Sequence, residues 1–151
     1  RMSDILDTLE QLVTERHAEV EAWFARQRTA APPLITTSVD LRHSGCRLVP
    51  VDTNLYPAGF QNLSAAGQAR AARAFARALE AAHPQARRIL IVPESHTRNL
   101  PYLDNLATLE RILTQAGLEV IIGNLTLEPG QSQTLTRENG ESLTQIGLSH
   151  S

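Results

Sequence analysis

The densest run of chemically capable side chains lies in residues 49–63, V-P-V-D-T-N-L-Y-P-A-G-F-Q-N-L. Asp52, Asn54, Gln61 and Asn62 offer a carboxylate and three amides, and Leu55, Tyr56, Pro57 and Phe60 form a stiff apolar frame around them. Polar groups held by such a frame suit a small polar ligand. Asp52 and Asn54 have strand spacing and share a face, while Pro57 and Gly59 set a turn that returns Gln61 and Asn62 towards them. The plain alternative is a loop whose Asn and Asp side chains bond their own backbone.

Two further segments carry similar chemistry. In residues 40–44, D-L-R-H-S, Asp40 and Arg42 point the same way. They would either pair with each other or recognise the ammonium and carboxylate of an amino acid, since a guanidinium fork engages a carboxylate through two parallel hydrogen bonds. Residues 94–102, E-S-H-T-R-N-L-P-Y, bring Glu94, His96, Arg98 and Asn99 together, a composition able to hold phosphate, carboxylate or metal. Glu94 and His96 with Asp40 or Asp52 would form a divalent-metal site. A single loop histidine more often serves as a hydrogen-bonding partner, so no metal ligand is assigned. Cys46 reads as a buried hydrophobe, and Arg70, Arg73 and Arg77 as a solvated helix face.

Composition narrows the chemistry. The 151 residues, 42% of them hydrophobic, suit one domain spanning the whole chain with its own core. A net charge of -2 gives no basic footprint for nucleic acid. One cysteine excludes an internal disulfide, and no apolar run approaches the roughly 18 residues that cross a bilayer. With no targeting signal at the N-terminus, a cytoplasmic location away from membranes is expected. All 14 basic residues are arginine. That excludes a Walker-type lysine, a Schiff base and a lysine general base, leaving arginine, backbone amides or a metal to meet an anion.

The elements that must position these groups follow from periodicity. Residues 4–28 carry Ile5, Leu9, Leu12, Val13, Val20, Trp23 and Phe24 at helical spacing, and Pro32 and Pro33 stop that helix. Strands are predicted at 34–41 and 47–52, joined through Gly45. Ser64 caps a helix running through Ala72, Phe75 and Leu79 towards Pro84. R-I-L-I-V-P at 88–93 reads as a strand buried on both faces. A helix over 101–116, ended by Gly117, and a strand at 118–122 complete a crossover unit. Asn139-Gly140 signals a type I′ turn in a peripheral hairpin. The expected fold is a three-layer α/β/α sandwich with a mostly parallel, Rossmann-like sheet and a C-terminal β-hairpin. The three polar segments would then gather beyond the carboxyl ends of its strands.

Taken together, V-P-V-D-T-N-L-Y-P-A-G-F-Q-N-L and I-L-I-V-P-E-S-H-T-R-N-L-P-Y resemble the N-terminal part of a bacterial glutamate-cysteine ligase family of the small proteobacterial type. The resemblance extends over essentially the whole chain, and family members are considerably longer. It implies ATP-dependent joining of the L-glutamate γ-carboxylate to the L-cysteine amine, through a γ-glutamyl phosphate with Mg2+, as the first step of glutathione synthesis. It further implies that this chain is the N-terminal α/β domain of a longer ligase, inactive alone, with its C-terminal part as partner and the main nucleotide site there. Asp40, Arg42, Asp52, Asn54 and Asn62, with Glu94, His96, Arg98 and Asn99, are the expected substrate-facing residues, without individual catalytic roles. Two rivals serve the same residues: a non-catalytic amino-acid or carboxylate-binding module, and a metal-dependent hydrolase using Asp52, Glu94 and His96.

Overall fold

The computed structural model describes residues 2–31, 34–45, 47–56, 58–94, 100–137 and 139–149, without the side chains of residues 2–4. The chain divides into two compact units, Arg1–Pro57 and Ala58–Ser151.

In the first unit the helical pattern is realised as two helices, α1 (Met2–Glu15) and α2 (His17–Ala30). Arg16 between them has φ -105 and ψ 21, so ψ leaves the helical range although Arg16 N still donates to Leu12 O and Val20 N to Arg16 O. Neither proline nor glycine marks the break, and periodicity alone reads straight through it. Strands β1 (Ser38–His43) and β2 (Leu48–Asn54) follow as an antiparallel pair that forms a sheet of its own. This corrects the expectation of one mostly parallel, Rossmann-like sheet. The connection, residues 44–47, is closed by Ser44 N donating to Arg47 O at 3.0 Å, and a link that short can only reverse the chain. At the open end Thr36 Oγ1 donates to Leu55 O at 3.1 Å.

The second unit begins with a 3-10 turn (Phe60–Asn62), followed by α3 (Ala65–Ala82), β3 (Arg88–Ile91), α4 (Leu100–Gln115), β4 (Glu119–Asn124), β5 (Ser132–Thr136) and β6 (Ser142–Gly147). As its sequence suggests, Ser64 caps α3, its Oγ accepting from Gly67 N at 3.2 Å. The sheet order is β3-β4-β6-β5, with β3, β4 and β6 parallel and β5 antiparallel to β6. The sheet is therefore mixed. The C-terminal hairpin exists, yet it is integral to the sheet rather than peripheral, because β6 lies between β4 and β5 with Leu143 and Gln145 buried. Gly147 permits this close approach, since a Cβ there would run into the carbonyl oxygen of Glu128. Asn139-Gly140 does not form a type I′ turn, because among the described residues no non-glycine has the positive φ that turn would demand of Asn139.

Two apolar clusters hold the unit together. Ala72 and Phe75 of α3 meet Ile112 and Leu113 of α4 over Ile89 and Val120, while Leu103 and Leu106 of α4 cover Ile122 and Leu143. Each fully buried side chain of this size contributes about 1.5–3 kcal/mol. Because Ile89 pairs with Val120 and Ile91 with Ile122, all these strand residues share one face, so α3 and α4 cover the same side. Leu90 and Val92, on the alternate face, remain 48% and 49% exposed. The unit thus has two layers where three were expected, and β3 is not buried on both faces.

Asn105, on the buried side of α4, joins the 3-10 turn to the core. Its Oδ1 accepts from Gly59 N at 2.8 Å and from Phe60 N at 2.9 Å. Gly59 has φ 107, a conformation that side chains disfavour, so the turn exists because a glycine and a buried amide coincide. Asn105→Ala strands both donors and is expected to lower unfolding free energy by about 2–4 kcal/mol, read from urea denaturation. Glu110, also on α4, has its carboxyl pushed above the ordinary carboxylate range by burial. A raised carboxyl binds its proton more tightly in the folded state, so stability falls as pH rises through that range. Glu110→Gln is accordingly expected to melt higher than the parent at pH 7, with the difference vanishing in acid below that range; thermal melts across pH check both.

Candidate functional site

The site is best built from the β1–β2 hairpin. Cross-strand partners are Ser38 with Asn54, Asp40 with Asp52, Leu41 with Pro50 and Arg42 with Val49; the register slips between Asp40 and Leu41, leaving Val51 unpaired as a bulge. Directly opposed residues share a face, so Ser38, Asp40, Arg42, Asp52 and Asn54 lie together on one side of the hairpin. Four of the expected substrate-facing residues are thereby brought together, within strands rather than in loops beyond a parallel sheet. Asn54 Nδ2 donates to Asp52 Oδ2 at 2.9 Å, which fixes both side chains.

The electrostatics of this face are unfavourable as they stand. Asp40 and Asp52 are directly opposed, an arrangement that destabilises an antiparallel pair by a few tenths of a kcal/mol or more. Among the described residues, Arg42 forms no ion pair with either carboxylate. The structural ion pair between Asp40 and Arg42 weighed from their spacing is therefore absent. What remains is an exposed face with two carboxylates and an arginine free to take a ligand, complementary to a small zwitterion.

The other expected residues lie in the second unit or outside the described residues. Asn62 ends the 3-10 turn, where its backbone N donates to Gly59 O at 3.0 Å and its side chain is exposed. Glu94 follows β3, and its backbone N donates to the Tyr102 hydroxyl at 2.9 Å. His96, Arg98 and Asn99 fall outside the described residues, as do Cys46 and Pro57. Arg70, Arg73 and Arg77 form an exposed helix face, as expected. No group of three or more His, Cys, Asp or Glu side chains able to hold a metal ion occurs among the described residues.

Several positioning residues escape sequence reasoning. Tyr102 fixes the backbone at Glu94, and Asn105 fixes the turn that carries Asn62. Asn105 could have been suspected as a polar residue between Leu103 and Leu106 on the buried stripe of a helix. At the carboxyl end of β4, Asn124 Nδ2 donates to Gln145 Oε1 at 2.8 Å and Asn124 Oδ1 accepts from both N and Oγ1 of Thr126. Gln145 is fully buried, and its Nε2 has no partner among the described residues. Separately, a groove of about 590 Å³ between α3 and α4 is lined by Ala65, Gln68, Ala107, Glu110, Arg111 and Thr114, none of them an expected site residue.

Comparisons with known proteins bear on the whole chain. The family model described as glutamate-cysteine ligase matches residues 10–151. The crystal structure at 1.90 Å of a protein described as a gamma-glutamylcysteine synthetase from Methylobacillus flagellatus KT superposes with a TM-score of 0.86 at 40% sequence identity. The match covers 97% of this chain and 34% of that one, so the chain spans about a third of the length of that relative. No curated protein matches it significantly. With the family model matching nearly every residue, the two motifs at 49–63 and 89–102 included, the chain belongs to the glutamate-cysteine ligase family.

Proposed function

We propose that this chain is the N-terminal, substrate-contacting part of an ATP-dependent glutamate-cysteine ligase, which joins the L-glutamate γ-carboxylate to the L-cysteine amine as the first step of glutathione synthesis in the cytoplasm. The observation that carries the reading is the polar face of the hairpin, in a chain of this family: Asp40 opposed to Asp52, with an unpaired Arg42 alongside. Both substrates are amino acids, each with an ammonium and a carboxylate. Two opposed carboxylates favour an ammonium between them, and the guanidinium fork suits a carboxylate. Asn54, held by Asp52, supplies a further amide. Asn62, Glu94, His96, Arg98 and Asn99 are assigned to the same substrate-contacting role in the complete enzyme.

Ligation implies ATP and Mg2+, and the described residues fit neither well. They contain no group of three or more metal-ligating side chains, and with no lysine in the chain only arginine among its side chains is left to meet a phosphate. No step on this chain is therefore routed through magnesium or nucleotide, and the principal nucleotide site is assigned to the further part of a family-length protein. None of the described helices is long and apolar enough to cross a membrane.

The test is ATP-dependent γ-glutamylcysteine formation from glutamate and cysteine by this chain and by the longer natural protein. Product is expected only from the longer protein; a folded longer protein that makes none would replace the ligase with an amino-acid-binding module. In that protein Arg42→Lys, which keeps the charge but loses the fork, is expected to lower kcat/KM by roughly 10- to 100-fold at unchanged melting temperature. Asp40→Asn should do two opposite things. It should raise the melting temperature slightly at low salt by removing the opposed charge, a gain that shrinks at high ionic strength, and it should reduce ligase activity. Activity and stability falling together would mark Asp40 as structural.

A further inference from the structure

No described residue of the first unit is buried, and the sheet seen among them has two strands, which are marginally stable at best in water without a packed face. The cross-strand pairs that collect Asp40, Arg42, Asp52 and Asn54 on one side place Val39, Leu41, Leu48 and Pro50 on the other, together with His43 and Thr53 at its two ends. That other side is mostly apolar and open: Val39 is 50% exposed, Leu41 57% and Leu48 63%. The hairpin therefore carries a mostly polar front, with Val49 opposite Arg42, and a mostly apolar back, and nothing in its own sheet covers the back.

We infer that this apolar back is the seat of the remaining two-thirds of a family-length ligase chain, which packs against it in cis and leaves the polar face turned towards substrate. The inference rests on the reading that this chain is part of a longer ligase. Two magnitudes favour that occupant. The solved relative is about three times as long as the stretch this chain matches, so ample chain is available to cover the surface. Strands of 6 and 7 residues present a face of only roughly 200 Å², far below the ~800 Å² per partner of a stable interface between separate molecules, so a second copy would gain too little from this surface. A covalently linked segment needs no such area, because its effective concentration at the face is in the millimolar range or above.

The experiment is thiol labelling by a maleimide of Leu41→Cys and, separately, Leu48→Cys, each in a Cys46→Ser background. Each is compared in this 151-residue chain and in the longer natural protein, with Arg73→Cys on the exposed face of α3 as the accessible reference. Both back-face thiols should label at the reference rate in the short chain and at least about 10-fold more slowly in the long one. Equal labelling of both thiols in the two proteins overturns the inference. So does protection already present in the short chain with a dimeric mass by light scattering, which would assign the face to a second copy. Two positions on the same face guard against one substitution that fails to fold. Labelling needs no catalysis, so protection in a long protein that forms no γ-glutamylcysteine upholds the seat while removing the ligase reading.

Discussion

The buried stripe of α4 is the constraint on which the unit Ala58–Ser151 depends. Leu103, Leu106, Ile112 and Leu113 reach both apolar clusters, so one helix unites the packing of β3, β4, β5, β6 and α3. Its polar side chains do comparable work. Asn105 holds the 3-10 turn through two backbone donors, and Asp104 accepts from Arg137 Nε at 2.8 Å, which ties the β5–β6 connection to the same helix. Arg137 is only 9% exposed and also pairs with Glu141, so removing either carboxylate would leave a poorly solvated charge. The same helix thus holds the turn that carries Asn62 through Asn105, and the backbone at Glu94 through Tyr102.

The hairpin of the first unit obeys a different logic. Its strands place two carboxylates face to face, one of them bonded to an amide and neither neutralised by the nearby arginine. A sheet selected for stability alone would not keep that pairing, and the apolar back shows the same disregard for burial. Local consistency fails on both faces of one small element, and such failures concentrate at functional and interaction surfaces.

Sequence reasoning succeeded where the determinants were local. Ser64, the Ala72–Phe75–Leu79 spacing and Gly117 mark α3 and the end of α4, and the β3–α4–β4 unit follows from their order. It failed where two distant segments had to choose each other. The pairing of β1 with β2 was legible in principle, since residues 44–47 are too few for a parallel crossover, but the alternation of strands and helices downstream suggested one common sheet. Nothing local announced that β6 would insert beside β4, an arrangement that rests on Gly147 leaving space for the backbone at Glu128. Arg16 likewise breaks a continuous helical pattern without any residue that signals a break.

Residue types and spacing by themselves determined the family, the absence of lysine chemistry, the two capped helices and the identity of the polar residues around Asp40 and Asp52. Those depend on side-chain chemistry and on contacts within a few residues. Only the tertiary structure decided that Asp40 and Asp52 oppose each other across an antiparallel pair, that Arg42 stays unpaired beside them, and that both helices of the second unit cover one face of a mixed sheet. The physical reason is that a strand's hydrogen-bonding edge accepts either direction of partner with similar energy, so direction and register are set by loop length and by packing between distant segments.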